Sequence, residues 1–470
     1  MSDKAEAPSF DDAPAEAPSL IRYSVLALLC ALAFVLYVDR VCIGQAATFM
    51  KQDLHISNTQ WGFVMGAFTL AYMLFEVPTG HWGDKHGSRG VLLRIVLWWS
   101  AFTALTGFVW ASTGDSSANG WMSWLNSGFL MLLLVRFLFG VGEADAFPNV
   151  ARVLGDWFPA HARGSAQGAI TTASLIGGAA APAASSYLIL AVGWRNTFVI
   201  FGLLGVVWCV AFYLWYRDRP EEHPGVNDAE LKLILGGRAP VVERLHEPIP
   251  WGRILTSTNL WLMGAVMNCG AAVFYMLFAW YSTYLKTARN VPETQAGWQT
   301  SLVMAAGAVG CLSGGYLNDA LMRVTGERRL SRRIIGCSAF LCAGLAVLTS
   351  INMKEPIQST LFVALAFFFV QLQIPAWWGV VTDISGKHVG AMFGLMNSMG
   401  GIGAISSPIF LGALTDHLKA QGAEGRMQWD PGFYVYAGLM VVGALCWTMI
   451  DSERSIVEDP SIASKSKEDL

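Results

Sequence analysis

The sequence predicts an all-α membrane protein with twelve transmembrane helices arranged in two pseudo-symmetric bundles of six. Of its 470 residues, 54% are hydrophobic and 14% are charged, and the mean hydropathy is +0.44. A water-soluble globule of this composition would lack the polar surface to cover its apolar residues. About twelve apolar stretches are long enough to cross ~30 Å of hydrocarbon. A polar motif recurs half a chain apart, which predicts two related halves.

Each apolar stretch is expected to be a helix, because a helix satisfies its own backbone in lipid and no β-barrel alternation is present. The spans are predicted at residues 22–49, 60–82, 91–111, 127–151, 164–191, 195–216, 258–285, 295–319, 333–351, 358–382, 388–415 and 432–450. The longest polar connector separates the sixth span from the seventh.

The domain organisation follows from these spans. The predicted segments are a disordered cytoplasmic tail at 1–20, an N-terminal six-helix bundle at 21–216, a cytoplasmic connector at 217–254, a C-terminal six-helix bundle at 255–452 and a cytoplasmic tail at 453–470. The first tail is rich in Ala, Pro and acidic residues, a composition typical of disorder. Its acidic start does not fit a cleavable secretory signal.

Basic residues predict the orientation. About three times as many Lys and Arg residues fall in the predicted cytoplasmic loops as in the external ones, as the positive-inside rule requires. We therefore expect a multi-pass protein of the cell (inner) membrane with both termini in the cytoplasm. The net charge of -3 argues against a nucleic-acid partner.

The first span contains two adjacent charges, Asp39 and Arg40. A charged side chain at that depth costs at least ~2.5–3.5 kcal/mol on insertion scales, so it is retained mainly where it faces a watery cavity or a partner. We interpret this pair as the centre of a transport site. The alternative is a buried ion pair that only fixes helix packing.

Arg40 and Arg136 are predicted to lie at the same depth. Arg40 precedes Met50 by ten residues, and Arg136 follows Asn126 by ten residues on a helix that runs the other way. Each is then ~15 Å from the outer end, at ~1.5 Å per residue. Glu143 lies two helical turns after Arg136 and therefore on the same face.

These four charged residues predict coupling to protons. Two arginines at one depth can hold a carboxylate through charge-assisted hydrogen bonds, and Asp39 and Glu143 compete for the same arginines. Protonation of an acid frees an arginine for an arriving anion, so that proton and anion bind cooperatively. The pattern favours symport.

The motif that recurs in the two halves predicts a gate. Its first copy has the form G-x-x-x-D-x-x-G-x-R, with Gly80, Asp84, Gly87 and Arg89, and its second copy has G-x-x-x-D ending at Asp319. Glycine permits close helix approach, and the acid can accept from the start of a neighbouring helix. We expect a cytoplasmic latch that breaks when the protein opens inward.

The spans of the second half contain almost no charge but several amides and phenols. Candidate substrate contacts there are Tyr275, Gln373 and Asn397, although each also suits helix–helix hydrogen bonding. Amides and phenols bind hydroxyl groups. We therefore expect a ligand with an anionic end and a polar, uncharged end, such as a sugar acid.

Three further motifs resemble a known family. They are YVDR at 37–40, VGEADAFP at 141–148 and WFPAHARGSAQG at 157–168. Together with the loop motif at 80–89, they make the chain resemble the major facilitator superfamily and, within it, the anion:cation symporter family. That family includes bacterial galactonate, glucarate and hexuronate transporters and sialin-type carriers.

The resemblance implies the major facilitator fold and roles for individual residues. It implies that Asp39 and Glu143 are the protonating pair and that the substrate is bound by Tyr37, Arg40, Tyr72, Arg136 and Asn397. Two positions depart from the family pattern. Glu76 stands where an amide is expected, which leaves the number of protons open, and Ser174 stands near a glutamine position, which leaves the substrate open. Ser174 is a further candidate substrate contact.

The sequence contains no sign of catalytic or cofactor chemistry. Its eight cysteines form no C-x-x-C pair, its eight histidines lie at span ends or in loops, and it has no nucleotide-binding or hydrolase motif. We expect a monomeric, non-enzymatic transporter without cofactors, whose partners are a small organic anion, protons and the lipid bilayer. The main hypothesis is proton-coupled uptake of a hexonate, hexarate or hexuronate by alternating access. The alternatives are an anion exchanger without protons and a non-transporting sensor or scaffold.

Overall fold

A computed structural model of the chain describes residues 17–110, 127–236, 250–452 and 456, with the backbone alone at 77–86, 387, 390 and 391. Within these residues the secondary structure is helical and contains no strand. The α-helices are α1 (Ile21–Asp53), α2 (Asn58–His86), α3 (Ser88–Thr106), α4 (Gly128–Glu143), α5 (Ala146–Trp157), α6 (Ala160–Trp215), α7 (Asp228–Gly236), α8 (Trp251–Thr256), α9 (Thr258–Thr287), α10 (Glu293–Thr325), α11 (Arg328–Asn352), α12 (Pro356–Leu372), α13 (Ile374–Ser385), α14 (Val389–Ala420) and α15 (Arg426–Met449). Short 3-10 helices cover Pro220–Glu222 and Gly386–His388.

Most predicted spans correspond to one helix, and two are divided. The fourth span is divided between α4 and α5, and the tenth between α12 and α13 at Gln373. The fifth and sixth spans follow one another in the 56 residues of α6, which are two helices joined by a bend at the non-helical residue Gly193. A straight helix of that length would measure about 84 Å, far more than a bilayer, so the bend divides it into two crossings. Eight helices of the described residues qualify as membrane spans by length and composition alone.

Gly193 makes this bend possible. Its φ of 79° and ψ of 159° lie in a region that only glycine adopts readily, because a side chain would meet the backbone. The chain reverses there without a loop.

The helices pack mainly within two groups, α1–α6 and α9–α15. Between the groups, α2 contacts α14, α6 contacts α10 and α1 contacts α9. The α2–α14 contact is very close: a Cβ atom added to Gly62 would lie 2.5 Å from the carbonyl oxygen of Pro408, and one added to Gly412 would lie 2.3 Å from that of Asn58. These glycines therefore allow the two backbones to touch.

Polar contacts between the groups cluster where α1 ends and α2 begins. Asp416 of α14 accepts hydrogen bonds from the backbone N–H groups of Asn58 (3.2 Å) and Thr59 (2.7 Å). Lys286 of α9 donates to the carbonyl oxygen of Gln45 (2.7 Å) and forms a 3.1 Å ion pair with Glu293. We call this end of the bundle, marked by these six residues, the closed end.

The opposite end holds the connector against the first helix. Glu230 of α7 is fully buried and accepts from the backbone N–H groups of Ile21 and Arg22, both at 3.1 Å. Ser19 donates its backbone N–H to Asn227 (2.9 Å). Ser19, which falls within the predicted tail 1–20, is thus bound by Asn227 and Glu230 of the connector. Residues 1–16 and most of the C-terminal tail lie outside the described residues.

Candidate functional site

A cavity of about 280 Å³ lies between the two groups of helices. Its volume is near the lower end of the range for small-molecule sites. The first group lines it with Tyr37 and Arg40 from α1 and Thr69, Tyr72, Met73 and Glu76 from α2; the second lines it with Met267, Gly270, Ala271, Phe274, Tyr275, Gln371, Ile374, Asn397, Ser398, Gly400, Gly401 and Ala404.

Arg40 is the cationic group of the cavity wall. Its guanidinium donates a hydrogen bond to Glu143 and lies 5.2–5.3 Å from the ring centroids of Tyr37, Phe68 and Tyr72. These rings stack around the planar cation and hold it in one orientation. The arginine thus presents a fixed positive charge to the cavity.

Asp39, Arg136 and Glu143 form a buried layer behind Arg40, and each is 1% exposed. The guanidinium of Arg136 lies 4.4 Å from the ring centroid of Phe139. Among the described residues, no donor is within hydrogen-bonding geometry of either carboxylate oxygen of Asp39, and Oε2 of Glu143 also lacks a partner.

Water solvates the charged groups of Asp39, Arg136 and Glu143 little, because all three are buried. Removal of a carboxylate or a guanidinium from water is costly unless hydrogen bonds and an opposite charge replace the solvent. With both acids ionised, Asp39 and Glu143 balance Arg40 and Arg136. A proton on either acid leaves one positive charge in excess, which a bound anion can neutralise.

The structure separates the predicted substrate contacts into two sets. Tyr37, Arg40, Tyr72, Tyr275 and Asn397 line the cavity.

The other three predicted contacts do not line this cavity, and substrate binding by them stays a prediction. Arg136 lies behind its wall, Ser174 is 3% exposed and donates to the carbonyl oxygen of Ile170 (3.1 Å), and Gln373 is fully buried. Helical periodicity fixes the helix face on which a residue lies but not which other helix packs on that face. The sequence therefore did not show that these three side chains are buried.

Two further polar residues of the wall, Thr69 and Ser398, were not predicted from the sequence, whereas Gln371 is one of the amides of the second half that the sequence offers for hydroxyl binding. Thr69 is three positions before Tyr72 and seven before Glu76, on one helical face, and this spacing was the available signal. Ser398 is adjacent to the predicted contact Asn397.

The predicted gating motif is only partly within the described side chains, since those of Gly80 and Asp84 lie outside them. Gly87 has a φ of 76° and precedes the first turn of α3. The backbone N–H of Arg89 donates to Asp218 (2.8 Å), and its guanidinium contacts the carbonyl oxygen of Tyr213.

An acid of the connector, Asp218, accepts at the start of α3. The role predicted for Asp84 concerns a side chain outside the described ones and stays a prediction. In the second copy of the motif, Asp319 is exposed and its carbonyl oxygen accepts from Arg323 at 3.3 Å.

The site thus lies in a central cavity that both halves of the helical bundle line. The sequence profile of the Major Facilitator Superfamily matches residues 29–383. The chain belongs to this superfamily.

Relatives of this superfamily member are named as transporters. It is 30% identical over 94% of its length to the probable galactarate/D-glucarate transporter GudP of Escherichia coli, covering 96% of that protein. It is 29% identical over 92% of its length to the probable sulfoacetate transporter SauU of Cupriavidus necator, covering 94% of that protein. It is 26% identical over 92% of its length to the D-galactonate transporter of another Escherichia coli strain, covering 96% of that protein. The predicted resemblance is thereby confirmed, and the protein is a membrane transporter and not an enzyme.

Solved structures of the superfamily share the fold. The inward-facing, unoccupied bacterial homologue of the human lysosomal transporter Spinster matches with a TM-score of 0.75 at 17% identity, over 94% of this chain and 99% of that one. A D-xylose–proton symporter matches with a TM-score of 0.70 at 12% identity, over 92% and 98%. The predicted twelve-helix major facilitator fold is confirmed.

Proposed function

We propose that this transporter takes up a small organic anion, a sugar acid, together with protons across the cell (inner) membrane. The observation that carries the proposal is the position of Arg40. It lies on the wall of a cavity shared by both halves, and it pairs with the buried carboxylate of Glu143. Relatives named as galactarate, glucarate and galactonate transporters support an acidic sugar as cargo.

The buried layer is the proposed coupling device. An anion that binds Arg40 competes with Glu143 for the same guanidinium, and this competition costs least when an acid of the layer carries a proton. Asp39 and Glu143 are the proposed proton carriers. Cooperative binding of proton and anion then follows, since each relieves the unfavourable charge that the other creates.

Alternating access is the proposed motion, in which residues 21–216 rock against 255–452. With both termini in the cytoplasm, the closed end faces outward, and the described conformation is closed to the outside. Return to an outward-open state requires that Asp416 leave the start of α2 and that Lys286 release Gln45. The transporter is proposed to work as a monomer.

The deciding experiment is uptake into proteoliposomes that contain the purified transporter. We expect accumulation of D-galactonate or another hexonate above the external concentration when the lumen is alkaline, and only equilibration without a proton gradient. Counterflow, in which labelled substrate exchanges against trapped unlabelled substrate, should proceed in both cases. Exchange that occurs only against a trapped anion and does not respond to the gradient would show an exchanger instead.

A further inference from the structure

Glu76 is an acid on the wall of the central cavity that the proposed coupling does not use. It is one helical turn after Tyr72 on α2, and both side chains line the cavity. One turn corresponds to ~5.4 Å along the helix, so Glu76 lies beyond the rings that surround Arg40. Among the described residues it has no hydrogen-bond or ion-pair partner, and its side chain is partly exposed to the cavity.

Among the residues that line the cavity, Arg40 and Glu76 carry the charges. The other polar groups are neutral: the phenols of Tyr37, Tyr72 and Tyr275, the amides of Gln371 and Asn397, and the hydroxyls of Thr69 and Ser398. The cavity wall therefore has one cation, Arg40, that can bind one anionic group of the cargo. It has no second cation to bind another anionic group.

We propose that Glu76 determines specificity, by accepting hydrogen bonds from hydroxyl groups at the uncharged end of the cargo and by repelling a second anionic group. The cargo class is then a polyhydroxy monocarboxylate, such as a hexonate or hexuronate, and not a dicarboxylate hexarate. This inference rests on the proposed function and narrows its substrate.

The chemistry of a carboxylate explains both parts of this selection. An ionised carboxylate is an acceptor only, and its two oxygens suit the O–H groups of a polyol. Its hydrogen bonds to hydroxyls are charge-assisted and stronger than those between neutral groups. A second carboxylate on the cargo brings no donor and adds a like charge a few ångströms away. In a partly desolvated cavity such repulsion costs affinity about tenfold or more.

The inference separates this chain from two of its relatives. Galactarate and glucarate carry a carboxylate at each end, and sulfoacetate carries a sulfonate and a carboxylate, so the cargoes in those relatives' names are dianions. Galactonate, in the name of a third relative, has one carboxylate and five hydroxyls. Because of Glu76, we expect the cargo of this chain to have one carboxylate, as galactonate does.

The test compares matched acids on the reconstituted transporter. Counterflow of labelled D-galactonate is measured against unlabelled galactonate or galactarate, which differ only in the group at carbon six, and then with gluconate and glucarate. For the wild type we expect the hexarate to compete at least about tenfold more weakly than its matched hexonate. Equal competition would overturn the inference and leave the proposed function intact. Failure of every hexonate and hexarate to bind would overturn the proposed function itself.

Variants assign the selection to Glu76. E76Q removes the charge but keeps the shape, so the gap between hexonate and hexarate should narrow to less than about threefold. The same gap as in the wild type would overturn the assignment. E424Q, at an exposed carboxylate outside the cavity, is the matched control and should keep the gap. E76D retains a carboxylate and should also keep it, and the wild-type comparison is informative even if E76Q is unstable.

Discussion

The guanidinium of Arg40 donates a hydrogen bond to the carboxylate of Glu143, although 103 positions separate the two residues in the chain. Their side chains are 13% and 1% exposed, so the arginine reaches the cavity and the acid does not. An anion in the cavity can therefore approach the arginine from the side opposite to the acid. In the proposed mechanism, this pair links cargo binding to the protonation of a buried group.

Replacement of Glu143 by Gln should abolish gradient-driven accumulation and spare counterflow. The amide mimics the protonated acid, so Arg40 stays available to the anion while the proton can no longer be exchanged. The measurement is proteoliposome uptake with and without an alkaline lumen. Equal loss of both activities would contradict the role proposed for Glu143. E424Q serves as the control for carboxylate removal in general.

Replacement of Arg40 by Lys should weaken cargo binding by about tenfold or more while the protein still folds. The ammonium keeps the charge that balances Glu143, but it lacks the planar fork that binds a carboxylate through two parallel hydrogen bonds. Isothermal titration with the best hexonate measures the loss. R323K, at an exposed site in α10, is the matched control and should bind as the wild type does. Unchanged affinity in R40K would mean that the cargo does not bind this guanidinium.

The sequence predicted the fold class and singled out Arg40, which lines the cavity, because both inferences depend on composition and on helical period. Membrane insertion makes apolar stretches conspicuous, and an arginine inside one is expensive enough to indicate function. The sequence did not predict that Arg136, Ser174 and Gln373 lie outside the cavity lining. That outcome depends on which neighbouring helix covers each face, and packing between distant segments is not encoded in local periodicity.

The capping acid Asp218 was beyond the sequence, whereas the break at Gly193 was not. Gly193 is the non-helical residue of α6, and it lies in the break that the apolar pattern predicted between residues 191 and 195. Asp218 lies in the connector, and only the fold brings it to the start of α3.

Replacement of Asp416 by Ala should shift the transporter toward an outward-open state. The carboxylate caps α2 from the other half, and the loss of such a cap costs typically ~1 kcal/mol, about a fivefold change in a two-state population. Spin labels at the exposed positions Gln52 and Gln421, in a background without cysteines, should then show a larger fraction of long distances.

The control for Asp416 is D53A at the same end of the molecule. Asp53 accepts from Trp194 (2.8 Å) and pairs with Arg195, both within its own half. Its loss should leave the distance distribution unchanged. A shift of equal size in both variants would mean that Asp416 does not hold the two halves together.

Acidification should destabilise the connector through His223. Burial and the nearby charge of Arg217 lower the pKa of this histidine, and its Nδ1 accepts a hydrogen bond from the backbone N–H of Gly225 (3.1 Å). Because the folded pKa is below the unfolded one, the unfolded state binds more protons as pH falls, and stability present above about pH 6.5 is lost below it. The imidazolium would also lose the acceptor that Gly225 requires.

The measurement for His223 is the thermal midpoint of the purified transporter at pH 7.5 and at pH 5.5. We expect the midpoint of the wild type to fall further on acidification than that of H223Q, whose amide oxygen can still accept from Gly225. H417Q, at an exposed histidine of α14, is the control, and its thermal midpoint should fall as far as that of the wild type. An identical fall of the midpoint in H223Q would show that His223 does not cause the loss of stability on acidification.

Replacement of Glu230 by Ala should destabilise the protein strongly, because its carboxylate binds both the backbone and the side chain at the start of α1. It accepts from the N–H groups of Ile21 and Arg22 and forms a 2.9 Å ion pair with the guanidinium of Arg22. Removal of one partner of a buried pair costs about 3–5 kcal/mol, because the other charge is left uncompensated. The thermal midpoint should therefore fall by roughly 3–5 °C. E222A, at an exposed acid of the connector, should change the thermal midpoint little. The double variant R22M/E230M should recover part of the loss, since it leaves no unpaired charge. A double variant no more stable than E230A would show that the backbone cap, and not the ion pair, carries the stability.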